Sequence, residues 1–325
     1  MNRMIIITCV LAATLITNSG SGNAQPANKV FRIGFLSASA INPAFRQRLR
    51  TLGYVEGKNL TFVFRQAKTT EQYFGLAKEL VRLNVDLILA VGVGAVRESK
   101  KATRSIPIVM GNSSADPVRN GLIDSLAKPG GNVTGVFDLL PDLAGKRVAL
   151  LKEMFPNLSR IAHIAPDPPG TNVVGPAHLK AAVAAAGVLG VRVQDVKVAR
   201  PDNLEESFRT VAEGDAEAVI VVAVSFFIPY RKRIVDLAAK YRLPTMYTHP
   251  RWVPLGGLIS YTTDGDARIR RAAEYVDQIL KGKKPEDLPV EQPKKYLLEL
   301  NLKTAKALGI TIPQTIMLQA NTVVD

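Results

Sequence analysis

The chain has 325 residues, with 42 Lys and Arg against 28 Asp and Glu, a formal net charge of +14 and 47% apolar residues. That composition excludes a disordered chain and a small disulfide-stapled scaffold. At roughly 100–200 residues per domain the length fits two lobes, each able to bury a core of its own, and two lobes make a cleft between them.

Residues 1–24 differ from the rest. Arg3 is their only charge, Met4 to Ile16 is an apolar run, and Gly22 and Ala24 put small residues at −3 and −1 of a cut before Gln25. This is the layout of a secretory signal peptide. A run of 13 residues falls short of the roughly 20 needed to cross a bilayer. No later segment is long and uncharged enough to do so. The expectation is therefore an exported chain, periplasmic or otherwise extracytoplasmic, that does not itself span a membrane. The single cysteine, Cys9, lies inside the apolar run, so cleavage leaves no thiol for a disulfide, a metal site or a nucleophile.

From residue 30 onward short β-branched runs alternate with helical patterns, which argues for parallel βαβ units. The first lobe's strands are expected at Phe31 to Leu36, Leu60 to Gln66, Asp86 to Val91, Pro107 to Gly111 and Val133 to Phe137. Pro43, Phe45, Leu49 and Leu52, stopped by Gly53, mark one helix, and Thr70 to Leu83 the next. After Asp138 the rhythm restarts, with a helix from about Asp142 to Phe155, strand Arg160 to Ala165, helix Val173 to Val188 and strand Val191 to Val198. Asp202 and Glu205 are spaced as a capping box. Strand Ala218 to Val224, helix Arg231 to Tyr241, strand Thr245 to Thr248, strand Leu258 to Thr262 and helix Asp266 to Leu280 follow. A basic, Pro-containing link runs from Lys281 to Pro289. Two doubly wound α/β lobes are the expected architecture.

The basic runs at Arg46 to Arg50 and Arg231 to Arg233 alternate with apolar Phe45, Leu49, Ile234 and Leu237. They read as solvated helical faces, and no nucleic-acid motif accompanies them.

In an open parallel sheet, ligands bind beyond the carboxyl ends of the strands. That rule selects Ser37 and Ser39, Gly92 and Gly94, Asn112, Ser113 and Asp116, and Asp138 in the first lobe. In the second it selects Asp167, Asn172, Phe226 with its neighbours Ser225 and Phe227, Tyr247 and His249. Gly92-Val93-Gly94 follows a strand and opens a helix, but Arg97 stands where a dinucleotide fingerprint needs a third small residue, so the pair reads as a tight turn. Gly111-Asn112-Ser113-Ser114-Ala115 lacks the second glycine of a nucleophile elbow. Three dispersed histidines, His163, His178 and His249, without Cys form no zinc pattern. No cofactor is expected, and nothing assembles a catalytic set. Asp116 and Asp264 fit helix caps at least as well as ligand contacts, and of Phe226 and Phe227 only one can face a cleft.

Several strings carry a resemblance: Ile33-Gly34-Phe35-Leu36-Ser37, Gly53-Tyr54-Val55-Glu56-Gly57-Lys58-Asn59, Lys128-Pro129-Gly130-Gly131-Asn132-Val133-Thr134-Gly135, Gly256-Gly257-Leu258-Ile259-Ser260-Tyr261 and Asn301-Leu302-Lys303-Thr304-Ala305. Together they resemble the ABC-transporter substrate-binding proteins that include tryptophan-type uptake receptors. The resemblance implies a type I periplasmic binding protein, a monomer whose lobes close on a small-molecule solute and present it to an ABC-type membrane permease. It implies a first lobe of residues 29–138 plus 258–284, a second of 139–257 plus 285–325, and hinge crossings near Asp138, Gly257 and Pro285. Ala165-Pro166-Asp167-Pro168-Pro169-Gly170 departs from the Asn-Pro-type loop of related proteins, so the aromatic amino acid of some relatives does not transfer directly.

For an amino-acid ligand, Ser37, Asn112 and Ser113 would hold the carboxylate, Asp116 or Asp138 the ammonium, and Phe226 or Tyr261 the side chain. An exported sensor without a transport role and an enzyme on the same fold are the competing classes. The export signal argues against a cytoplasmic regulator.

Overall fold

The computed structural model describes residues 29–113, 116–138, 143–167, 174–222, 226–293 and 295–325. The expected signal segment with Cys9, and Ser114, Ala115, Asn172 and Ser225, lie outside the described residues.

The first lobe is built from β1 (Phe31–Ser37), α1 (Pro43–Thr51), β2 (Leu60–Gln66), α2 (Gln72–Arg82), β3 (Leu87–Val91), α3 (Val93–Ala102), β4 (Ile108–Asn112) and β5 (Val133–Gly135). Its strands form one parallel sheet in the order β2-β1-β3-β4-β5. Residues alternate across it. Ile33, Phe35, Leu87, Leu89 and Val109 pack with Phe45 and Leu49 of α1. Leu36, Ile88, Ala90, Ile108 and Met110 pack with Ala77 and Leu80 of α2 and with Ala95 and Val96 of α3. Helices on both faces explain why the strands are apolar nearly throughout. Helix α1 starts where Asn42 accepts the Ala44 N–H, with Pro43 at its first position, and it buries only Phe45 and Leu49. The arginines between them are half-buried rather than fully solvated: Arg48 pairs with Glu274, and Arg46 lies over the rings of Phe62 and Phe64.

The second lobe contains α4 (Ala144–Met154), β6 (Arg160–Pro166), α5 (Val174–Val188), β7 (Arg192–Val198), α6 (Leu204–Glu213), β8 (Ala218–Val221), α7 (Arg231–Lys240), β9 (Thr245–Tyr247) and β10 (Ile259–Thr263). The chain then forms α8 (Gly265–Leu280), β11 (Tyr296–Asn301), α9 (Leu302–Leu308), α10 (Gln314–Gln319) and β12 (Thr322–Val324). The second sheet has seven strands, β12-β11-β10-β9-β8-β6-β7, and only the β10–β11 pairing is antiparallel. One face carries α4, α5, α9 and α10. The other carries α6, α7 and the short helix Pro250–Leu255 with Trp252.

Three sequence expectations need correction. The strand from Leu258 does not return to the first lobe, because β10 pairs in register with β9 and β11 of the second sheet. Only α8 returns, laying Ile269, Ala272, Ala273 and Val276 into the first core beside α1. The link after α8 also stays there. Leu288 and Val290 are buried in the first lobe's cores, and Val136 bridges to Glu291. The crossings therefore follow Asp138, Thr263 and Glu291 rather than Gly257 and Pro285. The capping box is not formed either: Asp202 lies in the single turn Pro201–Asn203, and Glu205 pairs with Lys240 of α7.

Candidate functional site

The crossings run side by side and are bonded to one another. Asp138 N–H donates to Ser113 O at 2.7 Å, at the carboxyl end of β4. Asp138 Oδ2 accepts from Thr263 Oγ1 at 2.8 Å and from Arg268 Nη1 at 2.5 Å. Asp264 N–H donates to Lys295 O at 3.0 Å, joining the second crossing to the third. Asp264 also caps α8 by accepting the Ala267 N–H. Asn42, at the start of α1, reaches Asp266 in the first turn of α8 at 2.8 Å. The carboxyl ends of β4 and β10 therefore meet where the chain passes between lobes, the position that open α/β sheets favour for ligands.

Asp138 is the centre of this junction. Its side chain is 4% exposed and its ion pair with Arg268 is largely shielded from solvent. Oδ1 of Asp138 and Nε of Arg268 are both buried without a hydrogen-bond partner. Buried polar atoms are usually satisfied, so an unmatched acceptor and donor at an interlobe junction suit a polar ligand.

The sequence-selected residues divide. Ser37 is buried, and its Oγ accepts the Ser39 N–H at 3.0 Å. Ser113 is buried beside Asp138; Asn112 ends β4. Gly92 caps α3 at φ +102°, and a side chain there would meet open space, so the backbone at the mouth of β3 is accessible. Gly94 serves packing instead: a Cβ would lie 3.2 Å from the ring of Tyr73 on α2. Asp116 is committed to its own turn. Its Oδ1 accepts the N–H groups of Val118 and Arg119, and Oδ2 faces Arg119.

Phe227 is fully buried while Phe226 stays half-buried beside it, ring centroids 5.6 Å apart. Tyr247 is enclosed in the second core, its ring 5.0 Å from that of Trp252, with no surface toward a ligand. Burial raises its phenol pKa well above the ordinary value. Tyr261 is half-buried, stacked on Tyr296 of β11, and its carbonyl accepts from Arg147 Nε at 2.8 Å. Among the described residues no cluster of three metal-ligating side chains occurs, and no helix is long and apolar enough to cross a membrane.

Sequence reasoning missed Arg268, Thr263 and Arg147. Arg268 and Thr263 matter through contacts more than 100 residues away, which no local pattern encodes. Arg147 left a signal: it sits at helical spacing with buried Ala144, Val148 and Leu151, on the apolar face of α4, and is itself fully buried.

Two α/β lobes joined by three adjacent crossings, with a polar junction between them, define the type I periplasmic-binding-protein class. The ABC transporter substrate binding protein family matches residues 36–324, and the chain belongs to that family. A tyrosine-binding protein of Clostridioides difficile is 26% identical over 326 residues, covering 94% of this chain and 91% of the relative. A domain from Streptococcus pneumoniae solved in complex with L-Trp superposes with a TM-score of 0.80 at 25% identity, over 90% of this chain and 99% of that one. A conserved domain protein of Vibrio cholerae superposes at 0.81 with 26% identity, over 91% of this chain and all of the other. The family is one of substrate-binding proteins rather than enzymes.

Proposed function

We propose that the chain is the extracytoplasmic receptor of an ABC importer, closing its two lobes on a small polar solute and presenting it to a membrane permease. Amino acids are the class its relatives support, through the tyrosine-binding protein and the L-Trp complex. The observation that carries the reading is the buried Asp138–Arg268 junction, which joins the crossings and keeps an unmatched acceptor, Asp138 Oδ1, and an unmatched donor, Arg268 Nε.

In this reading Asp138 Oδ1 receives the solute's ammonium. Ser37, Asn112, Ser113 and the backbone at Gly92 line the first-lobe wall, and Phe226 lies on the second. Closure is a shift between open and closed populations, driven by contacts the solute makes with both lobes at once. Water leaves as the lobes shut, which strengthens charged contacts, and desolvation offsets part of the gain.

The test is thermal unfolding of residues 25–325 against amino acids, nucleosides, sugars and small carboxylates, after co-purified ligand is removed by unfolding and refolding. A solute at about 100 times its dissociation constant adds ~2.7 kcal/mol. A selective rise in melting temperature without turnover supports a receptor. Turnover of the solute, or silence across the whole set, overturns it.

A further inference from the structure

Helix α8 carries two arginines one turn apart, and between them they reach all three crossings. Arg268 donates to Asp138 on the first crossing and to Thr263 on the second. Arg271 holds the third. Its Nε donates to Glu291 Oε2 at 2.9 Å and its Nη2 to Glu291 Oε1 at 2.7 Å, the two parallel bonds of a guanidinium fork.

The chain around Glu291 belongs to the first lobe. Glu291 N–H donates to Gly135 O and the Glu291 carbonyl accepts the Phe137 N–H, each at 3.1 Å. Just before it, Thr134 Oγ1 donates to Leu288 O at 2.6 Å, and the hydroxyl of Tyr275 on α8 donates to Pro289 O. The segment from Leu288 to Glu291 therefore lies along β5. By Lys295, whose carbonyl accepts the Asp264 N–H, the chain is entering β11 of the second sheet. Arg271 is itself fixed to the body of the first lobe. Its Nη1 donates to Glu274 Oε2 at 2.6 Å, and Glu274 Oε1 accepts from Arg48 Nη2 of α1 at 2.7 Å.

The two ties differ in exposure. The side chains of Arg268 and Asp138 are 11% and 4% exposed, whereas those of Arg271 and Glu291 are 38% and 43% exposed. Salt screens an exposed pair and leaves a shielded one nearly unchanged. Exposed pairs also add little to folding stability, so loss of the Arg271 fork acts on the hinge rather than on the fold.

We propose that Arg271 is a positioning residue of the hinge. It keeps the third crossing on the first lobe as far as Glu291, narrows the range of interlobe orientations in the ligand-free protein, and loosens its hold as ionic strength rises. Fewer orientations leave less freedom to lose on closure, which favours capture of the solute. That last step rests on the receptor reading; the restriction of the lobes does not.

Pulsed electron-spin distance measurements across the cleft test it. Residues 25–325 contain no cysteine, so spin labels go on Lys58→Cys in the first lobe and Lys180→Cys in the second, both exposed positions. In Arg271→Gln and in Glu291→Gln the ligand-free distance distribution should widen about 1.5-fold or more, with the double variant no wider than either single one. Glu291→Gln leaves Arg271 over the ring of Tyr275, so agreement of the two variants excludes lost packing as the cause. Arg271→Lys, which keeps the charge without the fork, should fall between them and the wild type. Raising salt from about 50 mM to about 500 mM should widen the wild-type distribution and leave the Gln variants unchanged. Calorimetry with L-tyrosine and L-tryptophan, or with whichever solute of the wider set raises the melting temperature, reads capture. Affinity should be about threefold or more weaker in both Gln variants at an unchanged ligand-free melting temperature. Distributions as narrow in the Gln variants as in the wild type, additive widening in the double variant, or widening with unchanged affinity overturns the inference. Silence of every solute while the distributions widen as expected overturns the receptor reading and leaves the restriction of the lobes standing.

Discussion

Arg147 Nη1 and His178 Nε2 lie 2.9 Å apart in the buried core of the second lobe. Arginine only donates, so this nitrogen of His178 must accept, and its ring proton is on Nδ1. His178 Nδ1 then donates to His163 Nε2, also at 2.9 Å, and the remaining proton of His163 points from Nδ1 toward Asp195 Oδ1 at 3.5 Å. One buried guanidinium thereby sets the tautomers of two neutral histidines on α5 and β6. The chain runs from α4 beneath the crossings to β7 at the surface.

Protonating either ring turns its accepting Nε2 into a donor that faces another donor in this chain. Burial, and then the Arg147 charge and the adjacent His163 ring, hold the His178 pKa well below its ordinary value; burial also lowers that of His163, against Asp195. A depressed folded-state pKa means that the unfolded chain binds more protons as the pH falls below about 6.5. The stability is therefore complete above that pH and is lost progressively below it. The unfolding free energy from urea titration should fall by about 2 kcal/mol between pH 7 and pH 5. His178→Gln, whose carboxamide can accept from Arg147 and donate to His163, should flatten the profile. A profile as steep in that variant as in the wild type would place the acid sensitivity elsewhere.

Arg147 itself is fully buried, and burial pushes its guanidinium down to about 9, still cationic at neutral pH. Its compensation comes from the Asp138 charge, the Tyr261 carbonyl and His178. Arg147→Ala removes the cation near Asp138, leaves a cavity and strips the donors from the Tyr261 carbonyl and from His178. Breaking a buried charge arrangement by deleting one partner costs about 3–5 kcal/mol. Equilibrium unfolding in urea measures this, and a loss under ~1 kcal/mol would show that solvent already screens the site.

The βαβ rhythm of the first lobe was legible because each strand is a short apolar run bounded by a helix stop or start, such as Asn42-Pro43 and Gly53. The fate of β10 was not. Ile259 to Thr263 reads as a buried strand in either lobe, and only its antiparallel register with Tyr296 to Leu300 assigns it to the second. Strand β11 escaped notice because Lys294 and Lys295 precede it and charged Glu299 interrupts it. At the site, strand-end geometry found Ser37, Ser113 and Asp138, which depend on local chain position. It also selected Tyr247, where a bulky ring after an apolar strand packs on Trp252 instead of facing out. Arg268 was hidden because its partner is 130 residues away.

Asp138 and Asp116 should separate cleanly on substitution. Asp138→Asn keeps the shape but removes the charge facing Arg268 and the ammonium-accepting oxygen. Affinity for the cognate solute should fall by about 2–5 kcal/mol, as for other buried charge partners. Asp116→Ala should leave affinity within about threefold of wild type and lower stability by roughly 1 kcal/mol, the usual worth of hydrogen bonds lost from a turn. Calorimetric titration of both variants decides. An Asp116→Ala variant that loses binding would return the ammonium role to that residue.

Gly135 ends β5 at φ +124°, three residues before Asp138, and a Cβ there would fall 2.5 Å from the Met110 carbonyl oxygen. Neither the backbone region nor the space admits a side chain, and the obstruction is main chain of the adjacent strand, which cannot swing away. Gly135 O also accepts the Glu291 N–H at 3.1 Å, so the same residue fixes the last first-lobe contact before the third crossing. Gly135→Ala should therefore cost about 1–3 kcal/mol in backbone strain, with steric displacement of β4 added to it. Because Phe137 and Asp138 follow directly on this residue, solute affinity should weaken along with stability, whereas Gly92→Ala, which meets no protein neighbour, should lose stability only through the strain of its positive φ. Unfolding and titration of the two alanine variants side by side test the claim; equal losses in both would mean that the close approach to Met110 contributes nothing.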